Sequence, residues 1–188
     1  PLPDLEYADN CAGWLIDRLG WPRHALYWSE AGDAYDTHPW DGTRDPLAAI
    51  CAALSRGQDC AVESATGTGK TYLAAGIALW FLACHRDALV VTLAPKEDQL
   101  TAQLWKEMGR HWGAFQTVYG RGYMRELRVR LQEPTDADRE RWAILGWACG
   151  VESDEESAAR AQGFHAEHIC IITEETPGIP RPVFAALQ

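Results

Sequence analysis

Residues 62–71, Val-Glu-Ser-Ala-Thr-Gly-Thr-Gly-Lys-Thr, combine the residue types needed to hold a polyphosphate. Gly67 and Gly69 let backbone N–H groups turn toward phosphate oxygens, and the N-terminus of a following helix adds its partial positive charge. Lys70 has the length to reach the β- and γ-phosphates, and the Thr71 hydroxyl suits Mg2+. Ser64, Ala65, Thr66 and Thr68 complete the loop, and Ser64 stands where the usual pattern has its first glycine. Far downstream, His168-Ile169-Cys170-Ile171-Ile172-Thr173 reads as an apolar strand that ends in two carboxylates, Glu174 and Glu175. Beside a phosphate loop, the first acid can hold Mg2+ through water and the second can orient and deprotonate an attacking water. Glu174 is therefore expected to serve the metal and Glu175 to act as base. The chemistry is hydrolysis of a nucleoside triphosphate, ATP in the first instance.

These groups need a frame. The loop follows a short apolar run, residues 60–62, which reads as a strand, and leads into residues 72–82, whose Ala and Leu content suits a buried helix. Residues 88–94 form a β-branched apolar run of the kind found inside a parallel sheet. A helix is expected over 96–111, with Leu100, Leu104 and Met108 in helical spacing and Gly113 at its end. Residues 127–131 alternate like a half-exposed strand, and 143–148 suggest another. Pro46 is placed to open a helix over 47–56 that Gly57 would close. An earlier short helix fits residues 12–19. Residues 151–160 are polar enough for a solvated loop or short helix. Strands alternating with helices indicate an α/β layer architecture.

Composition narrows the setting. The chain has 188 residues, enough for one domain with its own core, and 17 basic against 27 acidic residues give a net charge of −10. Any contact with nucleic acid must then be local rather than a matter of bulk charge. The six cysteines have no C-x-x-C spacing, which favours free thiols in a reducing cytoplasm over disulfides or zinc. The apolar run over 73–84 is too short to span a bilayer, and residues 1–6 lack the pattern of a secretory leader. A cytoplasmic protein without a membrane segment is expected. His165 and His168 lack the further ligands that a zinc site needs, and a loop-ordering role is preferred. The nine tryptophans suit core and interface anchoring.

Three blocks together resemble the ATPase part of the large terminase subunit of tailed bacteriophages and prophages, the viral DNA-packaging motor. They are residues 63–71; residues 91–100, with Ala94-Pro95 and then Leu104-Trp105; and Gln162-Gly163-Phe164-His165-Ala166-Glu167-His168, leading through Glu174-Glu175 to Gly178-Ile179-Pro180. The A-x-x-G-x-G-K-T form of the loop, with Ser64 before it, is one that helicases and packaging motors tolerate. The resemblance covers residues 46–188 and leaves 1–45 as an aromatic-rich N-terminal extension. It implies a P-loop NTPase of the RecA-like (ASCE) type, a three-layer sandwich with a mostly parallel central sheet, cut short after the Walker B strand and lacking the nuclease domain. It further implies double-stranded DNA as partner, together with a portal protein, a small terminase subunit, assembly as a homo-oligomeric ring, and a bacterial host cytoplasm.

Two departures from the family accompany it. Glu63 stands where an arginine often acts as a finger in cis, so that cation is expected from elsewhere or from a neighbouring subunit. Arg121, Arg125 and Arg160 are the candidates, the first two in a basic cluster with Arg128 and Arg130 that would also suit a DNA backbone. The glutamine that often contacts adenine is missing, leaving Trp40 or Asp45 as substitutes. A superfamily-two DNA helicase or translocase fragment, and a nucleotide-binding scaffold without turnover, are the alternatives.

Overall fold

A computed structural model describes residues 2–31, 45–64, 67–131, 142–150 and 154–187. In chain order the helices and strands are α1 (Cys11–Asp17), α2 (Pro46–Ser55), α3 (Lys70–Cys84), β1 (Leu89–Ala94), α4 (Glu97–Gln99), α5 (Lys106–Tyr119), β2 (Tyr123–Arg125), β3 (Arg128–Arg130), β4 (Ala143–Ala148), α6 (Asp154–Gln162), β5 (Ile169–Thr173) and α7 (Arg181–Ala186). The strands form one sheet in the order β2-β3-β4-β1-β5. β1 runs parallel to both neighbours, with Val91 opposite Leu145 on one side and Ile171 on the other. β2 and β3 make an antiparallel hairpin that adds to the β4 edge, so the sheet is mixed around a parallel core. The fold is α/β.

Every residue of β1 is buried, as a largely apolar run covered on both faces must be. Val90 and Ala94 pack with α1, α3 and α5, while Leu89, Val91 and Leu93 pack with Trp147, Ala161 of α6 and Val183 of α7. Thr92, the one polar residue of the strand, donates its hydroxyl to the Leu145 carbonyl (3.1 Å) and accepts from the Trp105 indole (3.1 Å). Its burial is thereby satisfied.

Two expectations are corrected. Residues 60–62 form no strand: the segment is exposed, with Val62 45% accessible, because no described strand lies alongside to receive its backbone groups. Three apolar residues cannot make a strand without a ladder partner. The helix expected to stop at Gly113 continues to Tyr119 and ends at Gly120, whose φ of 61° is the left-handed C-terminal conformation. Gly113 costs about 1 kcal/mol in a helix interior, which burial of Phe115 in the next turn offsets. Between α4 and α5, residues Leu100–Trp105 widen into a π-helix. Its i→i+5 bonding brings Leu100, Leu104 and Trp105 to one buried side, which is how Trp105 reaches Thr92. The core of the sheet is parallel as expected, and the β2–β3 hairpin extends it as an antiparallel edge.

Other expectations hold. All six cysteines are free, and four of them are buried. Residues 154–162 of the polar stretch form a helix, with Glu155 and Glu156 in solvent and Ser157 and Ala161 buried, whereas 151–153 lie outside the described residues. Among the described residues, no helix is long and apolar enough to cross a membrane.

The N-terminal residues pack onto this core. Trp14, Leu15, Trp21 and Leu26 share one cluster with α3 and α5. Asp4 accepts from Arg18 (2.8 Å) and from the Tyr119 hydroxyl (2.7 Å), and that hydroxyl accepts from the Trp14 indole (2.7 Å). Burial by itself would raise the Asp4 carboxyl; the hydrogen bonds from Arg18 and Tyr119 outweigh it and hold Asp4 below the ordinary 3.8. A depressed carboxylate contributes stability that is present above the ordinary value and lost as pH falls. Tyr119→Phe orphans the buried Trp14 N–H and removes one donor from Asp4. A loss of about 1–3 kcal/mol in urea unfolding at neutral pH is expected. An unchanged midpoint would show that the chain Trp14–Tyr119–Asp4 does not anchor the N-terminal residues.

Candidate functional site

The C-terminal ends of β1, β4 and β5 open onto one edge of the sheet, where ligands of parallel α/β sheets are held. The three strand ends are locked to one another. Cys149 N donates to the Ala94 carbonyl (3.0 Å), Gly150 N to the Pro95 carbonyl (3.1 Å) and Glu174 N to the Leu93 carbonyl (2.8 Å). Pro95 sits so close to both neighbouring loops that a Cβ on Gly150 would lie 2.5 Å from its oxygen, and one on Gly178 2.5 Å from its Cγ. The Ala-Pro and Gly-Ile-Pro blocks, remote in sequence, are thus one packed unit.

The glycine loop reaches the same edge. Gly67 (φ 84°) and Gly69 (φ 85°) take left-handed conformations that side chains resist, and α3 starts immediately after, at Lys70. Leu47 of α2 packs against the turn, 3.8 Å from where a Gly69 Cβ would be. The Lys70 ammonium donates to the Ser64 carbonyl (2.9 Å), and the Ser64 and Thr68 hydroxyls are 2.8 Å apart, which closes the loop on itself. Ala65 and Thr66 lie outside the described residues. First-turn amides of α3 and the Lys70 charge make this end of the helix attractive to an anion.

The two halves meet at Glu174. Its carboxylate lies against the Thr71 side chain and within the field of Lys70. Burial pushes the Glu174 carboxyl above its ordinary 4.5; the Thr71 side chain and Lys70 pull it down, and the adjacent Glu175 charge pushes it up again. Glu175 is exposed and has φ 51° and ψ 46°, a left-handed conformation at a non-glycine residue. Such a residue costs of order 1–3 kcal/mol and is retained where the surroundings hold it. Here the Gly178 amide holds it, donating to the Glu175 carbonyl (2.9 Å).

The predicted arginines are elsewhere. Arg121 precedes β2 by two residues and Arg125 ends it, at the sheet edge four strand spacings or ~19 Å from β5. They cannot reach the glycine loop of their own chain. Arg125 faces Arg128 directly across the hairpin, an opposition of like charges that an anion between them would relieve. A cleft of about 800 Å3 beside it is lined by Tyr123, Arg125, Leu127, Arg128 and Gly146 and is separate from the glycine loop. Arg160 of α6 lies over the Trp147 ring, 5.1 Å from its centroid. His165 is exposed, and the His168 ring lies tilted against His85 (5.1 Å) at the opposite end of the strands; no cluster of three or more His, Cys, Asp or Glu placed to share a metal ion occurs among the described residues. Asp45 is turned away from nucleotide duty, accepting from the backbone and hydroxyl of Ser29 (2.7 and 2.8 Å). Trp40 lies outside the described residues.

Sequence reasoning missed one group beside the loop. Tyr72, the residue after Thr71, stacks on Trp21 (4.6 Å) and abuts His111 (4.2 Å), whose ring is within 3.1 Å of the Tyr72 carbonyl. Three residues this far apart in the chain carry no spacing signal. No known protein family, curated protein or solved structure matches this chain.

The raised Glu174 carboxyl has a consequence for stability. Its ionised form is disfavoured in the folded protein, so the cost is absent below the ordinary 4.5 and grows as pH rises past it. Glu174→Gln keeps an acceptor for Thr71 and removes the charge. It is expected to raise the melting temperature at about pH 7.5 and to leave it unchanged at about pH 4. An equal shift at both values would exclude the charge as the cause.

Proposed function

We propose that this chain is the ATPase part of a large terminase of a tailed bacteriophage or prophage, a RecA-like P-loop motor that hydrolyses ATP to drive double-stranded DNA into a procapsid. The observation that supports it best is the placement of Glu174, at the end of β5, against Thr71 in the first turn of α3 and beside Lys70. A hydroxyl and a carboxylate presented together beside an ammonium group are the ligand set of a Mg2+–triphosphate.

Both oxygens are hard ligands that fit Mg2+, and two of them suffice for an ion that retains much of its water. When bound, Mg2+ would neutralise charge developing on the phosphates and favour the ionised form of Glu174. The chain's own residues do the rest. Lys70 and the loop amides grip the β- and γ-phosphates. Glu175 takes a proton from water as the water oxygen attacks the γ-phosphorus, the β–γ bridging bond breaks, and ADP and phosphate leave. The strained Glu175 backbone is consistent with a residue held for a task.

In this reading the missing cation comes from a neighbouring copy in a ring. Arg160, or Arg121 and Arg125 at the far edge of the sheet, are its sources in this reading. The hairpin arginines equally suit a phosphate backbone. A portal protein and a small subunit complete the proposed assembly, in the cytoplasm of a bacterial host.

Phosphate release with and without duplex DNA tests the proposal. Wild-type turnover should rise with duplex and proceed without strand separation. Glu175→Gln should lower turnover by roughly 10²–10⁴-fold with ATP binding retained. Lys70→Ala should lose binding. Unwinding of duplex would favour a helicase, binding without turnover a scaffold, and full activity in Glu175→Gln would remove the assigned base.

A further inference from the structure

Tyr72 is the exception in its helix. Ten of the fifteen residues of α3 are buried, yet Tyr72 keeps 37% of its surface accessible immediately after the residue that meets Glu174. Its ring is nonetheless held firmly. Trp21 lies against one face, 4.6 Å away and 25° from parallel, and the His111 ring abuts it at 4.2 Å and 58°.

The backing has been made at a cost. Trp21 is 4% exposed and crosses α3 at Gly76, where a Cβ would lie 3.2 Å from Trp21 Cζ2 and 2.7 Å from Leu15 Cδ2. A glycine in a helix interior is unfavourable relative to alanine, and its reason here is the close approach of Leu15 and Trp21. The buried Trp21 indole N–H has no hydrogen-bond partner among the described residues. An indole kept dry and unbonded beneath a partly exposed phenol ring is not explained by core packing alone.

We propose that Tyr72, backed by Trp21, is the stacking platform for the base of the nucleotide. The inference rests on the nucleotide reading of the glycine loop. A base is tethered to its phosphates through one ribose, so its platform must lie beside the phosphate grip. Tyr72 is the next residue after Thr71, on the same first turn of α3. The other described candidate for base contact, Asp45, has its carboxylate on Ser29. Stacking on an aromatic face accepts any base, because every base has a π-face. The platform therefore separates nucleotides from bare polyphosphate more strongly than one base from another.

Calorimetric binding of ATP and of inorganic tripolyphosphate, both with Mg2+, tests this on the intact protein. Wild type should bind ATP roughly ten- to a hundred-fold more tightly than tripolyphosphate. Tyr72→Ala and Tyr72→Leu should weaken ATP to the tripolyphosphate level while leaving tripolyphosphate affinity unchanged, and Tyr72→Phe should behave as wild type. Tyr72→Leu retains apolar bulk, and a matching melting temperature shows that it folds. Equal affinity of wild type for ATP and tripolyphosphate, or a preference for ATP that survives Tyr72→Leu, overturns the platform and leaves the glycine loop as phosphate site. Binding of neither ligand overturns the nucleotide reading, and the platform with it.

Discussion

Leu89 to Leu93 have ladder partners on both sides, β1 has a helical layer on both faces, and the remaining elements take their positions from that strand. Parallel neighbours must arrive by crossover, which puts helices against the sheet and all three strand ends on one edge. Pro95, at the exit of β1, then becomes the post against which Gly150 and Gly178 close. The candidate site is built on those three exits, with the glycine loop brought in by α3. A substitution that thickened any of the three would displace the acids before it touched the glycine loop.

The N-terminal residues are tied to the site by two different kinds of contact. Polar links, Asp4 to Arg18 and Tyr119 and on to Trp14, join the start of the chain to the end of α5. Shape joins Leu15 and Trp21 to α3 at Gly76, one turn beyond the loop. The first kind is specific in its donors and acceptors and responds to pH. The second depends only on a missing methyl group. Both make the described residues of the aromatic-rich extension part of the same core as α3 and α5.

Charge at the site is balanced rather than neutralised. Lys70 bonds its own loop, Thr71 lies against Glu174, and Glu175 stands exposed on a left-handed backbone beside them. Half-burial raises the Glu174 carboxyl, and a bound cation would reverse that direction. Across the sheet, Arg125 and Arg128 oppose each other on a hairpin too distant to help their own loop. In the proposed motor that separation is useful, because it leaves the arginines to a neighbour or to DNA.

Local chemistry was legible in the chain. Gly67 and Gly69 before Lys70-Thr71, the largely apolar run of β1, Pro46 and Gly57 around α2, and the acids that follow β5 all announce themselves by residue type and short-range spacing. Such features depend on backbone freedom, φ restriction and burial, which neighbouring residues largely decide. Residues 60–62 were misread because a strand needs a partner, and Gly113 because tertiary burial of Phe115 outweighs a helix penalty. The mixed pairing, the π-helix that carries Trp105 to Thr92, the Thr71–Glu174 contact and the stack of Trp21, Tyr72 and His111 were settled only in three dimensions. Each joins groups from separate segments, and which segments meet is decided by the free energy of the whole core.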